Sequence, residues 1–181
     1  MHAMTQDNLR SAFGGESQAH MRYGIWAKTA GKEGFPNVER LFNCTGEAER
    51  VHATLHFKAL KDIHGDFPVT SMAGFGIGDT SENLQKGIDG EVFEFTEMYP
   101  AYIEVAKMQG EDEAVKAMRF AIEAEKIHAV RYEEAKKAVD AGKDLDAKDI
   151  LLCPVCGYIT FDASEEECPI CHTKSKAFVA Y

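Results

Sequence analysis

Glu49-Arg50-Val51-His52 and Glu125-Lys126-Ile127-His128 both read Glu-x-x-His. On a helix, residues three apart share a face, so each copy points a carboxylate and an imidazole the same way. Glu91-Val92-Phe93-Glu94 offers two carboxylates at that spacing, and Glu16 offers one more. One copy alone means little, because Glu is common on solvated helix faces. Two copies with two further acidic segments are a different matter. Four helices that each turn Glu or Glu-x-x-His to one interior build a carboxylate-bridged site for two metal ions. Phe93, Phe95, Ile122 and Ile127 flank these positions. The carboxylates are therefore expected to be partly buried, which is costly unless they are paired or metal-bound.

A second set of ligands closes the chain. Cys153-Pro154-Val155-Cys156 and Cys168-Pro169-Ile170-Cys171 are separated by 11 residues. Paired Cys-x-x-Cys units hold one tetrahedral ion through four thiolates, and iron and zinc both accept that geometry. A structural zinc ribbon is the commoner use of such motifs. A thiol-disulfide couple is the other alternative, disfavoured by two pairs in so short a segment. His172 is read as a bystander. Cys44 stands alone and is read as a buried structural thiol.

The chain has 181 residues and a net charge of −10. That charge argues against a nucleic-acid partner. No stretch approaches the roughly 20 apolar residues of a membrane span, and Met1 to Asp7 lack the apolar core of a signal peptide. The expectation is a cytoplasmic protein with no membrane partner. In a reducing compartment, five cysteines point to metal or redox chemistry rather than disulfides.

The elements that must position these residues are mostly helical. A first helix is expected from Thr5 to about Ala30, with Tyr23 seven residues after Glu16 on nearly the same face. Gly31 to Gly34 should stop it, and Pro36 should open a second helix running to about Ile63. His56 is expected to face outward. Residues 65–80 hold Pro68 and four glycines and read as a long crossover, which distinguishes a ferritin-like bundle from a simple up-down one. Ser81 is the expected N-cap of the third helix. Pro100 falls inside that helix and should distort it about one turn earlier, beside the acidic cluster, with a π-type bulge as one form the distortion can take. Gly110 ends it, and a fourth helix runs from about Asp112 to Ala141. The fold class is mainly α: a four-helix bundle with one long crossover over residues 1–141, a charged linker over 142–150, and a small β module over 151–181. A module of that size needs a metal for stability.

Glu16, Glu49-x-x-His52, Glu91-x-x-Glu94 and Glu125-x-x-His128, followed by Cys153-Pro-Val-Cys-Gly-Tyr and Cys168-Pro-Ile-Cys171, resemble the rubrerythrin family over almost the whole chain. Gly15-Glu16-Ser17-Gln18-Ala19 and Thr96-Glu97-Met98-Tyr99-Pro100 resemble its local patterns. The resemblance implies a ferritin-like diiron domain joined to a rubredoxin-like module. It implies two iron ions in the bundle and one in the tail, with zinc as a substitute in recombinant protein. It implies a non-haem diiron peroxidase that reduces hydrogen peroxide to water in oxidative-stress defence. Electrons would arrive through the four-cysteine iron from an external donor, such as a rubredoxin or an NAD(P)H-dependent reductase. Carried over residue by residue, Glu16, Glu49, Glu91, Glu94, Glu125 and His128 are ligands of the oxidised site. His52 replaces Glu94 when the site is reduced, and Tyr23 and Tyr99 steady carboxylates. Glu97 is left open between a supporting acid and a solvated residue.

The competing readings are a ferroxidase or iron-handling protein, which has no need of four cysteines, and a zinc-ribbon binding module. A fourth helix of about thirty residues spans roughly 45 Å. The tail is therefore expected to lie far from the metal pair of its own chain unless the linker folds back. A head-to-tail homodimer with electron transfer between subunits would close that gap.

Overall fold

The computed structural model describes residues 1–181. α1 (Ala3–Glu33) and α2 (Pro36–Ala59) pack side by side along their length. α1 runs a few residues past the expected Ala30, and Gly34, at the end of the expected Gly31–Gly34 stop, closes it. Gly34 has φ 89°, and the Phe35 N–H reaches back to the Ala30 carbonyl at 2.9 Å. That closure needs a left-handed residue, which glycine adopts without a Cβ penalty. Pro36 then opens α2, where a missing N–H costs nothing. α2 stops at Ala59, short of the expected Ile63.

Residues 60–79 form the crossover, without regular helix or strand. It is laid along α1: Gln18 Nε2 donates to the Gly74 carbonyl at 2.6 Å and Trp26 Nε1 to that of Gly76 at 3.0 Å. α3 (Thr80–Phe93) is capped by Asp79, not by Ser81. The Asp79 carboxylate accepts the Glu82 N–H at 2.8 Å, and the Glu82 carboxylate accepts the Asp79 N–H at 3.3 Å. Two orphan donors are thus satisfied reciprocally, which a lone Ser81 cap could not do. The Ser81 hydroxyl donates instead to Asp140.

The expected bulge is present as a π-helical turn over Glu94–Met98. Its cause is Pro100, which has no N–H for the carbonyl one turn back; the Tyr99 N–H bonds to Glu94 instead. α4 (Tyr99–Met108) continues the same rod. The extra residue in the ladder changes the rotational phase of α4, and Tyr99 is fully buried. α5 (Asp112–Asp140) completes the bundle. No helix is long and apolar enough to cross a membrane.

The tail is a three-stranded antiparallel sheet. β1 (Leu151–Leu152) lies between β2 (Ile159–Thr160) and β3 (Val179–Ala180), with Leu151 opposite both Thr160 and Ala180. Each strand is two residues long, too short to show any period in the sequence.

Residues 142–150 are not a loose tether. The Asp144 carboxylate accepts the N–H groups of Asn37 at 2.8 Å and Val38 at 3.2 Å, at the open N-terminus of α2. Arg40 donates to the carbonyls of Ala147 at 3.2 Å, Lys148 at 3.1 Å and Tyr181 at 2.9 Å. Leu145, Ala147, Ile150, Leu152 and Ile159 share one buried core with Tyr23, Trp26, Phe42 and Tyr132. The linker folds back, and the tail lies on the bundle of its own chain. This is the exception the expectation of a distant tail allowed for: the charged segment also carries Leu145, Ala147 and Ile150, which are buried against the bundle.

Candidate metal centre

Glu16 comes from α1, Glu49 and His52 from α2, Glu91 from α3, and Glu125 and His128 from α5; all six are buried. They fall into two overlapping groups. Glu16, Glu49, His52 and Glu125 each offer a ligand atom, all within 4.8 Å of one another. Glu49, Glu91, Glu125 and His128 do the same. Glu49 and Glu125 belong to both groups, so their two-oxygen carboxylates stand where bridges between two ions would be.

The imidazoles are aimed by hydrogen bonds on their far sides. His52 Nε2 lies 3.0 Å from the Cys156 carbonyl oxygen and His128 Nε2 2.8 Å from that of Gly157. A carbonyl only accepts, so each Nε2 carries the proton. Each Nδ1 is then the nitrogen turned to the carboxylates. His52 Nδ1 sits 2.7 Å from Glu125 and 3.0 Å from Glu49. His128 Nδ1 sits 2.6 Å from Glu125. The rings stack with centroids 5.8 Å apart. The close approach depends on Gly157, where a Cβ would fall 2.3 Å from His52 Nε2 and where φ is 83°.

Glu16 Oε2, Glu49 Oε1 and Glu91 Oε2 are buried without a hydrogen-bond partner, and the two oxygens of Glu125 face only the imidazole Nδ1 atoms of His52 and His128. Orphaned acceptors of this kind are expensive in a protein interior, and divalent cations satisfy them. The electrostatics say the same. Burial first, and then Glu125, push the Glu49 carboxyl up to about 8. Burial, followed by Glu49 and Glu125, pushes Glu91 well up. Burial works against an ionised Glu125 too, but His52 and His128 overcome it and hold that carboxyl below its ordinary range. Carboxylates crowded this closely cannot all ionise without positive charge between them.

Two tyrosines brace the periphery. Tyr23 donates to Glu91 Oε1 at 2.6 Å, and Tyr99 donates to Glu16 Oε1. Glu94 is not in either four-residue group. The residue as a whole is partly exposed and lines an outer cleft with Arg22, Phe93, Met98 and Tyr102, but its carboxyl is turned inward, where burial first, and then the charges of Glu16, Glu125 and Glu49, raise it well above the usual range. Glu97 is exposed. His56 is fully buried, contrary to the outward orientation expected, and its Nε2 lies 2.8 Å from the Tyr99 hydroxyl. The signal for it was present: His56 follows His52 by one helical turn, on the same face.

The four cysteine sulfurs also converge within 4.8 Å, with Cys153 and Cys171 3.5 Å apart and Cys156 and Cys168 3.4 Å apart. A tetrahedral ion with bonds of about 2.3 Å needs sulfurs separated by only slightly more. The two knuckles repeat one pattern. Gly157 N–H bonds to Cys153 and His172 N–H to Cys168, while Cys153 and Cys168 donate to Tyr158 and Thr173. His172 points its ring to solvent, near Glu167. Cys44 is buried and is not part of the four-cysteine group, and burial raises it well above the ordinary thiol range.

The family model described as Rubrerythrin matches residues 7–136. Rubrerythrin-2 of Clostridium acetobutylicum is 44% identical over 180 residues, covering 99% of this chain and 98% of that protein. Nigerythrin of Nitratidesulfovibrio vulgaris is 36% identical over 177 residues, covering 98% and 86%. A solved structure of nigerythrin in its fully reduced, all-ferrous state superposes with a TM-score of 0.89 at 35% identity, over 100% of this chain and 88% of that one.

Proposed function

The chain belongs to the rubrerythrin family, and from that membership we propose that it is a non-haem diiron peroxidase. It would reduce hydrogen peroxide to water with electrons relayed through its own four-cysteine module. One relationship carries this reading. The imidazoles that face the carboxylate cluster are hydrogen-bonded on their other side to the backbone of the first cysteine knuckle. A storage or ferroxidase site has no use for a thiolate module held against its ligands.

Glu16, Glu49, His52 and Glu125 would hold one iron of the bundle, and Glu49, Glu91, Glu125 and His128 the other. Cys153, Cys156, Cys168 and Cys171 would hold a third. When bound, iron supplies the two electrons of the reaction H2O2 + 2 H+ + 2 e− → 2 H2O and is refilled one electron at a time. The protein does the rest. Glu49 and Glu125, shared by both groups, would hold the two ions together. The carbonyls of Cys156 and Gly157 fix both imidazoles in the tautomer that leaves Nδ1 free. Tyr23 and Tyr99 each engage one carboxylate oxygen, so that Glu91 and Glu16 turn the other inward. His52 belongs to one of the two four-residue groups and Glu94 to neither, in keeping with the ligand set the family resemblance assigns to the reduced state; on oxidation Glu94 would take the place of His52. The electron path would run from Cys156 through its carbonyl to His52, within one chain. An external protein or reductase would supply the tail.

The experiment loads the full-length protein with iron anaerobically, reduces it, and mixes it with peroxide or dioxygen in a stopped-flow spectrometer. Much faster oxidation by peroxide is expected, together with the red thiolate-to-ferric absorption of the tail. Equal rates with accumulation of mineral iron would favour iron handling, and a colourless zinc-only protein would end the redox reading.

A further inference from the structure

His56 lies outside the ligand set, yet it is as buried as the ligands themselves. Its Nε2 is 2.8 Å from the Tyr99 hydroxyl oxygen and 3.8 Å from Glu16 Oε1, so it engages the tyrosine rather than the carboxylate. Tyr99 in turn donates to Glu16 Oε1. A phenol has one proton. If that proton goes to Glu16, the same oxygen can only accept from His56, so His56 is the Nε2–H tautomer. His56 Nδ1 is then a bare acceptor, in keeping with its having no partner. Glu16 Oε2 is also buried and without a partner.

We propose that His56 is a positioning residue that locks the Tyr99 hydroxyl, and through it fixes Glu16 to bind metal by Oε2 alone. With His56 donating to it, the Tyr99 hydroxyl cannot rotate its proton toward α2. Its only acceptor is Glu16 Oε1, which leaves Oε2 to face the cluster. Without His56 the hydroxyl is free to turn, and Glu16 loses the constraint that distinguishes its two oxygens. The π-helical turn before Tyr99 and the helical turn after His52 are the two local features that bring these groups together.

This inference rests on Glu16 being a ligand, and the test separates the two. Metal-free, full-length protein is titrated with cobalt(II) under anaerobic conditions, and the bundle sites are resolved from the thiolate site by their visible spectra. His56→Leu should weaken the site containing Glu16 and His52 by about tenfold, the scale of lost ligand support, while the Glu91–His128 site and the tail keep wild-type affinity. His56→Gln, whose amide can still donate to Tyr99, should recover most of the loss. Tyr99→Phe should reproduce it, and adding His56→Leu to Tyr99→Phe should cost nothing more. Wild-type affinity in His56→Leu, no rescue by His56→Gln, or additive effects of the two substitutions would each overturn the proposal. Should His56→Leu fail to fold, His56→Gln is compared with His56→Asn, which is too short to reach Tyr99; equal affinities would overturn it as well. A wild-type bundle that takes up no cobalt removes the metal-site reading itself, and this inference with it.

Discussion

His52 Nε2 lies 3.0 Å from the carbonyl oxygen of Cys156. One residue is a prospective ligand of the bundle pair and the other of the tail ion, and both belong to one chain. Gly157 makes the approach possible, since a Cβ there would fall 2.3 Å from His52 Nε2. Gly157→Ala should therefore push the knuckle off the bundle, with added backbone strain of about 1–3 kcal/mol from the positive φ. Stopped-flow measurement should show slow electron transfer from the reduced tail to the peroxide-oxidised bundle. Direct oxidation of a chemically reduced bundle by peroxide should change much less.

The same contact decides the outcome of a mixing experiment. Cys168→Ser removes a tail ligand and Glu49→Ala removes a carboxylate shared by both bundle groups. With the tail docked on its own bundle, subunits exchanged between these two inactive variants should regain no peroxidase activity. Recovery after demonstrated exchange would place the path between subunits of a head-to-tail dimer.

Metal counts should follow the sharing of ligands. Anaerobically reconstituted wild type should hold three iron ions per chain, and Cys168→Ser should hold the bundle pair alone. Glu49→Ala should lose both bundle ions, because Glu49 serves both groups, whereas Glu16→Ala should lose only one. Iron analysis with Mössbauer spectroscopy distinguishes these results; equal losses in Glu16→Ala and Glu49→Ala would contradict the shared-bridge arrangement.

The metal-free bundle should become less stable as pH rises. Glu49 is pushed from an ordinary 4.5 up to about 8 by burial and by Glu125. The folded form then binds more protons than the unfolded one between those values, so stability is full below about 4.5 and is lost as pH rises through about 8. Glu91 shifts in the same direction. Thermal unfolding of chelator-treated protein should show its Tm falling across this window. The iron-loaded protein should not show that fall, because cations replace the protons, and loading should release protons.

The ligand types were legible because metal chemistry is local in sequence: Glu-x-x-His and Cys-x-x-Cys are spacings set by one helical turn and one tight knuckle. The distortion at Glu94–Met98 was legible for the same reason, since Pro100 acts on the turn just before it. The spacing of His56 from His52 placed both on one face, but the polar partner that His56 meets there, Tyr99, is 43 residues away, and no short-range pattern records it. Ser81 was expected as the cap, but it is Asp79, two residues earlier, that is spaced to exchange hydrogen bonds with Glu82.

Four helices, a crossover, the kinds of ligand and the four-thiolate module could be read from the chain alone, because these rest on period, turn chemistry and spacing. Three things emerged only once the chain was folded: which carboxylates are shared, that His52 rather than Glu94 stands in the cluster, and that the tail lies on its own bundle. The last of these rests on Asp144 at the head of α2, Arg40 on the carbonyls of the returning chain, and Leu145, Ala147 and Ile150 in a common core. Each contact joins residues about a hundred positions apart, and its free energy comes from burial and charge at a place that neither segment specifies alone.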